Sequence, residues 1–167
     1  KAIGWCVSEY NRAQISINFT NYKISPIHQV FDAVCDLASK RGLRVTGSEL
    51  IGLIPKSALV DAGKYYLKKQ GRSLGISESD ILECAVQSLG LDDVSEFILK
   101  EKIIEFAIED KKDSLLHLST DDIIHSISQN SPAPGGGSVS ALAGALGAAL
   151  LSMVSLLTYD KKEYLSR

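Results

Sequence analysis

Residues 131 to 138 are Ser131-Pro-Ala-Pro-Gly-Gly-Gly-Ser138, and a long uncharged run from Val139 to Leu157 follows them. The two prolines fix the backbone and remove two N–H donors, so a helix should not pass through this stretch. The three glycines give access to positive φ and close approach to the backbone, and Ser138 is a suitable N-cap for the next helix. Such a loop either presents N–H groups to an anion at the positive end of a helix or forms a close-packed turn. The loop alone leaves both alternatives open.

The apolar run behind this loop has two interpretations. As one α-helix it would be about 28 Å long, which is close to the thickness of a bilayer core. About half of its residues are Ala, Gly or Ser. Small residues at steps of three and four let helices pack closely, either in lipid or in a soluble bundle. A membrane span and a buried helix of an all-α domain therefore both remain open.

The composition is that of an ordinary soluble globular protein. The chain has 167 residues, a formal net charge of −2 and 45% hydrophobic residues, and no basic patch suggests a nucleic acid partner. The cysteines, Cys6, Cys35 and Cys84, lack the spacing of metal ligands, so we expect reduced thiols in a cytoplasmic protein. The chain begins at Lys1 and stops at Arg167, and we expect both ends to be cut from a longer protein.

Alternating apolar residues predict two strands near the N-terminus, from Ile3 to Ser8 and from Gln14 to Phe19, because successive side chains of a strand point to opposite faces. A turn over Glu9 to Arg12 would join them into a hairpin. A third strand is predicted over Val45 to Ile54, buried on both faces in its later half. Its glycines indicate bends or close approaches. The short apolar segment from Ile103 to Ile108 predicts a further strand or a docking segment.

Three amphipathic helices are predicted from caps and apolar stripes. They run from the cap pair Ser25-Pro26 to Gly42, from Ser57 to Gly71, and from the capping pair Ser77 and Asp80 to Gly90. Their buried stripes are predicted to be Ile27, Val30, Phe31, Val34, Leu37 and Ala38; Leu59, Ala62, Tyr66 and Leu67; and Ile81, Leu82, Ala85, Val86 and Leu89.

The charged run from Glu109 to Asp113 is the predicted break between two domains. Residues 1–109 would form an α+β domain, residues 110–116 a linker, and residues 117–167 a helical segment that includes a short helix over Thr120 to Gln129. The first domain follows the order β-β-α-β with appended helices. This order is a partial βαββαβ ferredoxin-like unit that lacks its opening strand and helix.

Five ordered motifs carry a resemblance to a known family. They are Gly4-Trp-Cys6, Ala13-Gln-Ile-Ser-Ile-Asn18, Gly47-Ser-Glu-Leu-Ile-Gly-Leu-Ile-Pro55, Glu101-Lys-Ile-Ile-Glu105, and the stretch from Ser131 to Ser140. Together they resemble the bifunctional formimidoyltransferase-cyclodeaminase family over nearly the whole chain. Residues 1–109 resemble the C-terminal subdomain of its formiminotransferase half, and residues from about 117 resemble the start of its all-α cyclodeaminase domain.

The resemblance implies a folate enzyme of histidine degradation. It would transfer the formimino group of N-formimino-L-glutamate to tetrahydrofolate and then form 5,10-methenyltetrahydrofolate and ammonia. Tetrahydrofolate would be a co-substrate, with no metal. In this family the transferase histidine lies in an N-terminal subdomain that matches no part of this chain, and the cyclodeaminase acid lies beyond Arg167. We therefore assign no catalytic residue here and expect this chain alone to be inactive.

The expected partners are the two substrates, the missing N-terminal subdomain and further copies of the chain, since incomplete domains expose apolar surface. Neither nucleic acid nor a membrane is expected. Two further classes stay open as alternatives: a non-catalytic interaction fragment, and a small α/β domain anchored by Val139 to Leu157 with Lys161 and Lys162 on the cytoplasmic side.

The predicted folate-binding residues are Gly135, Gly136, Gly137 and Ser138, through backbone N–H groups, with Ser48 and Glu49. A charge in an otherwise apolar strand needs a partner, a ligand or solvent. Glu49 would therefore either accept hydrogen bonds from a pterin or lie exposed at a strand edge.

Other polar residues have a functional and an ordinary interpretation. The face of Gln14, Ser16 and Asn18 would line a folate tunnel or contact solvent, and the lysines Lys64, Lys68 and Lys69 would attract a polyglutamate tail or be solvated. His28 is predicted to be exposed in a first helical turn. The three histidines are not spaced as metal ligands.

Overall fold

The computed structural model describes residues 1–8, 11–108, 115–159 and 161. The chain divides into two compact units. Unit 1 consists of Lys1–Arg72 with Glu78–Ala107, and unit 2 of Ser73–Ser77 with Ile108–Arg167. Unit 1 contains two strands and five helices among its described residues, whereas the described elements of unit 2 are all helical. The predicted change from mixed α and β to helical structure is therefore confirmed.

The N-terminal hairpin forms as predicted. Strand β1 (Ala2–Val7) pairs antiparallel with β2 (Arg12–Ile17), in a register that runs from Ala2 opposite Ile17 to Val7 opposite Arg12. Trp5 Nε1 donates a hydrogen bond to Gln14 Oε1 across the pair at 3.0 Å. Residues 9 and 10 of the predicted turn lie outside the described residues.

The three predicted helices are present as α1 (Ile27–Ser39), α2 (Lys56–Lys69) and α3 (Glu78–Leu89). All three predicted glycine terminators, Gly42, Gly71 and Gly90, have positive φ. In each case the residue after the glycine donates its N–H to the carbonyl five positions earlier: Leu43 to Ala38, Arg72 to Leu67 and Leu91 to Val86. This is the hydrogen bond of a Schellman motif, so local chemistry accounts for all three helix ends.

The predicted serine cap of α1, Ser25, is wrong, and α2 begins at Lys56, one residue before the predicted start at Ser57. Proline occupies the N-cap of each helix, Pro26 in α1 and Pro55 in α2, and neither helix has a side-chain cap from its N-cap residue. In α2 the carboxylate of Glu105 accepts a hydrogen bond from the Lys56 N–H at 2.7 Å instead. A residue far along the chain therefore satisfies the first turn of α2, which sequence-local capping rules do not detect.

The core of unit 1 lies between α2 and α3. The predicted apolar stripes of these two helices are buried throughout. The helices cross at Gly63, where an added Cβ would overlap the carbonyl oxygen of Ile81. The buried cluster consists of Ile54, Ala58, Leu59, Ala62, Tyr66, Leu82, Ala85, Val86, Leu89, Leu91, Phe97 and Ile103.

The predicted strand over Val45 to Ile54 is wrong. Only Ile54 pairs, in an isolated parallel bridge with Ile103. The preceding segment is instead tied to the end of α3, because the N–H of Ser48 donates to the Gly90 carbonyl at 2.9 Å. Its apolar side chains are not buried on both faces, since Ile51 is 81% exposed.

The two glycines of this segment behave as predicted. Gly52 has a φ of 85°, which marks a bend that favours glycine. Gly47 marks a close approach, because an added Cβ would lie 2.5 Å from the Cβ of Asp93.

Of the two alternatives for Ile103 to Ile108, a strand or a docking segment, the strand is not formed. Ile103 joins two short helices, α4 (Leu99–Lys102) and α5 (Ile104–Ala107), and it is fully buried in the core. The described residues thus contain a regular sheet of two strands. The mixed α and β class is confirmed, but the later strands of a ferredoxin-like unit do not appear.

Unit 2 contains a 3₁₀ turn (Leu115–His117) and helices α6 (Thr120–Ile127) and α7 (Gly136–Tyr159). Ser119 caps α6 by accepting a hydrogen bond from the Asp122 N–H at 3.1 Å. The predicted helix after the glycine loop is confirmed. The charged break before it falls on residues 109–114, which lie outside the described residues, so the domain boundaries stay a prediction.

Helix α7 is apolar around its whole circumference and none of its described residues is buried. By length and composition it could cross a membrane, with a mean hydropathy of 2.0 in its best window. Core helices of soluble proteins can be equally long and apolar, because neighbouring helices cover them. The finding therefore leaves both predicted alternatives for the run open, a membrane span and a buried helix.

Candidate functional site

The predicted site residues Ser48 and Glu49 lie in unit 1, after α1 and before α2. The hydroxyl of Ser48 donates a hydrogen bond to the Leu89 carbonyl at 2.6 Å, and its N–H donates to the Gly90 carbonyl. Ser48 therefore caps the C-terminal end of α3, a structural role that sequence analysis missed. Glu49 is exposed, which agrees with the solvent alternative for its charge.

The predicted glycine site lies at the start of α7 in unit 2. The helix begins at Gly136, so Gly136, Gly137 and Ser138 form its first turn and Ser138 is not the N-cap. The predicted positive φ is also wrong, because the positive-φ glycines of the described chain do not include these residues. The N–H of Val139 donates to the Gly135 carbonyl at 3.2 Å. The N–H groups of the three residues before Val139 have no acceptor within the helix itself.

The glycines of this loop differ in the space around them. A Cβ at Gly135 would lie 3.1 Å from the Pro132 carbonyl oxygen, whereas Gly136 and Gly137 have nothing within 4 Å of an added Cβ. Gly135 thus fits the close-packed turn interpretation. The surface over Gly136 and Gly137 is open, which leaves backbone N–H groups accessible at the positive end of a helix.

Sequence analysis missed a polar cluster between α1 and α2, which we call the Asp32 cluster: His28, Asp32, Tyr65, Tyr66 and Lys69. The carboxylate of Asp32 accepts hydrogen bonds from the Tyr65 hydroxyl at 2.7 Å, the Tyr66 hydroxyl at 3.1 Å and Lys69 Nζ at 2.7 Å. Burial raises the pKa of Asp32, but the hydrogen bonds from Lys69, Tyr65 and Tyr66 outweigh it and give a net lowering. Burial and the nearby Asp32 raise the pKa of Tyr66.

His28 is buried, so its predicted exposure is wrong. Its ring stacks on Tyr65 with centroids 4.4 Å apart and meets Tyr66 edge-on at 6.5 Å. Burial lowers its pKa, although Asp61 and Asp32 oppose this effect. The sequence does contain a signal for this cluster. His28 and Asp32 are four residues apart on α1 and therefore lie on one helix face, beside the apolar stripe.

The three lysines predicted to attract a polyglutamate tail differ in their contacts. Lys69 forms an ion pair with Asp32 at 2.7 Å, while Lys64 and Lys68 are exposed. On the hairpin, Gln14 is engaged by Trp5. No group of three or more His, Cys, Asp or Glu residues that could hold a metal ion occurs among residues 1–8, 11–108 and 115–159.

Two family models match the chain, and their boundary falls near the boundary between the two units. A formiminotransferase domain model matches residues 1–109, and a model described as formiminotransferase-cyclodeaminase matches residues 119–167. The chain belongs to the formiminotransferase-cyclodeaminase family. The resemblance inferred from the five motifs is thereby confirmed.

Bifunctional relatives from distant organisms align over nearly the whole chain, and a glutamate formimidoyltransferase aligns over half of it. Formimidoyltransferase-cyclodeaminase of Sus scrofa is 39% identical over 166 residues, which cover 98% of this chain and 30% of that protein. The Dictyostelium discoideum protein of the same name is 39% identical over 167 residues, covering 98% and 31%. Glutamate formimidoyltransferase of Thermoplasma acidophilum is 37% identical over 83 residues, covering 50% and 26%. The chain thus spans about 30% of the length of the bifunctional relatives.

Proposed function

We propose that this chain is part of a bifunctional folate enzyme. The enzyme transfers the formimino group of N-formimino-L-glutamate to tetrahydrofolate and then cyclises the product to 5,10-methenyltetrahydrofolate with release of ammonia. The observation that carries the proposal is that the two family matches follow one another on one chain. They correspond to an α/β unit followed by a helical unit. Such a succession is expected when two consecutive activities are fused.

Within this proposal, tetrahydrofolate is a co-substrate and no metal takes part. The expected partners are formiminoglutamate, a formiminotransferase N-terminal subdomain and further copies of the same protein, in the cytoplasm. Strands from the remainder of the enzyme would extend the exposed β1–β2 hairpin into the ferredoxin-like sheet. The exposure of hydrophobic side chains on both strands, such as Trp5 and Ile15, supports this completion, since a two-stranded hairpin is marginal alone.

The proposed ligand contact is the first turn of α7, at Gly136, Gly137 and Ser138. The helix N-terminus carries partial positive charge and N–H groups that can donate to a carboxylate or to a pterin oxygen. Ser48 and Glu49 are weaker candidates. The Ser48 hydroxyl already donates a hydrogen bond to the Leu89 carbonyl. Glu49 is exposed to solvent, and exposure alone does not indicate a folate site.

The assay that tests the proposal uses the full-length protein with formiminoglutamate and tetrahydrofolate. Formation of methenyltetrahydrofolate and release of ammonia are followed together, and the 167-residue chain serves as a comparison. We expect turnover by the full-length protein and none by the chain alone. Turnover by a monodisperse monomer of the chain alone would contradict the assignment of catalytic groups to other parts of the enzyme.

In the full-length protein, Gly136→Val should selectively slow the cyclodeaminase step, by about 10-fold or more if one ligand hydrogen bond is lost. The reason is that the branched side chain would cover the first-turn N–H groups. Backbone strain is not the reason, since φ at Gly136 is not positive. Formimino transfer should continue at the parental rate. Gly147→Val, in the middle of α7 and also without atoms within 4 Å of an added Cβ, is the matched control.

A second candidate function rests on the exposed apolar surface of α7. In that case the helix anchors a small α/β domain in a bilayer. Carbonate extraction of membranes from cells that express the full-length protein distinguishes the two candidates. Retention in the membrane pellet would support the anchor, and release into the supernatant would support the folate enzyme.

A further inference from the structure

Helix α1 is attached to unit 1 differently from the other long helices. Its single buried residue is His28, whereas α2 buries six residues and α3 buries five. The predicted apolar stripe of α1 is only partly covered: Ile27 and Phe31 pack half-buried against the core, and Leu37 is 52% exposed. The best-buried contact of α1 is therefore made by a titratable side chain.

The contacts of His28 suit a neutral ring. The residue is 6% exposed and stacks on Tyr65, and its Nδ1 atom is buried without a hydrogen-bond partner in the described structure. A protonated imidazole carries N–H donors on both nitrogens. Protonation would therefore bury both a charge and an unpaired donor, and each of these is costly.

The charged groups around His28 offset only part of this cost. The titratable groups that face it are Asp32 on α1, and Asp61, Tyr65, Tyr66 and Lys69 on α2. Asp32 already accepts three hydrogen bonds, one of them from the ammonium of Lys69. Asp61 is exposed, so water screens its charge. Burial is accordingly the strongest influence on His28, and it lowers the pKa.

We propose that the contact of His28 with Tyr65 and Tyr66 is an acid-sensitive latch that holds α1 against α2 while the imidazole is neutral and releases α1 when it is protonated. Release would uncover Tyr65 and the half-buried face of α1, because these surfaces are covered by the same contact. The Asp32 cluster would be separated in the same event, since its acceptor is on α1 and its three donors are on α2. The proposal does not depend on the reaction that the enzyme catalyses.

The direction of the pH effect follows from proton linkage. In the closed state the pKa of His28 is lower than the usual 6.5, so the open state binds more protons. The stability of the closed state is then complete above about pH 6.5 and declines as the pH falls toward the closed-state pKa. For one group the decline is at most about tenfold in the closing equilibrium per pH unit.

The test is hydrogen–deuterium exchange of the full-length protein between pH 7.5 and 5, corrected for intrinsic exchange. Peptides from α1 should lose protection as the pH falls, by up to about tenfold per unit, while peptides from α3 keep theirs. His28→Phe keeps an aromatic stack and removes the titration, so it should abolish the pH dependence of α1. The matched control is His117→Phe at an exposed histidine, which should leave that dependence intact.

An unchanged pH dependence of α1 in a folded His28→Phe protein would overturn the latch, as would constant α1 protection in the parent protein. If the variant does not fold, exchange at imidazole C2 of the parent protein measures the pKa of His28 directly. A value below 6.5, with α1 protection lost between pH 6.5 and that value, supports the latch. A value of 6.5 or above, or constant α1 protection over that interval, contradicts it.

Discussion

At the residue scale, Gly63 shows how one missing side chain determines the packing of two helices. It is buried in the middle of α2, where glycine is unfavourable by about 1 kcal/mol relative to alanine. The structure retains it because α3 lies directly against its Cα, and an added methyl group would overlap the Ile81 carbonyl. The steric requirement therefore outweighs helix propensity at this position.

Gly63→Ala should lower the free energy of unfolding of unit 1 by about 1 to 3 kcal/mol, despite the gain in helix propensity. The measurement is native-state hydrogen exchange of peptides from α2 and α3 in the full-length protein. Gly144→Ala is the matched control, since an added Cβ there has no atom within 4 Å. Equal or higher protection of α2 and α3 in Gly63→Ala would refute the close crossing.

At the element scale, α2 depends on a contact from the other end of unit 1. The helix has proline at its N-cap, and the Lys56 N–H is satisfied by Glu105 on α5. The cationic head of Lys56 also forms an ion pair with Glu78 at 2.9 Å. The carboxylate of Glu105 lies at the positive end of the α2 dipole, where a negative charge is favourable.

Glu105→Ala should lower the stability of the first turn of α2 by about 1 kcal/mol, the usual effect of removing a cap. Exchange of the N-terminal amides of α2 measures this change, and protection in the middle of α3 should change little. Glu101→Ala removes an exposed carboxylate from α4 and serves as the control. If both variants gave the same protection at the start of α2, Glu105 would not be its cap.

At the scale of the whole molecule, the described elements of both units expose apolar surface. The hairpin leaves Ile3 61% and Ile15 54% exposed, and α7 exposes its leucines, with Leu146 and Leu150 at 60%. Apolar surface on this scale favours association with a partner or with further copies. Because this surface is spread over elements of both units, it is a property of the whole molecule and not of a single residue.

The isolated 167-residue chain should therefore self-associate, as light scattering or sedimentation would detect. Replacing Leu146 and Leu150 of α7 by Lys should shift the mass toward the monomer, because two charges interrupt the apolar surface of the helix. Ile24→Lys, at a position that is 79% exposed in unit 1, is the control for added charge alone. A parent chain that remains monomeric at high concentration would contradict this prediction.

The sequence by itself determined the features that depend on neighbours along the chain. The hairpin strands, the glycine ends at Gly42, Gly71 and Gly90, and the buried stripes of α2 and α3 follow from local periodicity and from backbone conformations that favour glycine. The ordered motifs also indicated the family, on which the proposed substrates depend. The start of α7 was correctly predicted to lie at the glycine loop. The predicted N-cap, Ser138, and the predicted positive φ of the loop glycines were wrong.

Only the tertiary structure decided the features that depend on residues distant in sequence. Val45 to Ile54 has the composition of a strand, but its hydrogen bonds go to the end of α3 and to the bridge at Ile103. His28 has the position of an exposed first-turn residue, but Tyr65 and Tyr66 cover it. In each case a partner 37 to 50 positions away supplies the contact, and local patterns carry no information about which distant segment packs there.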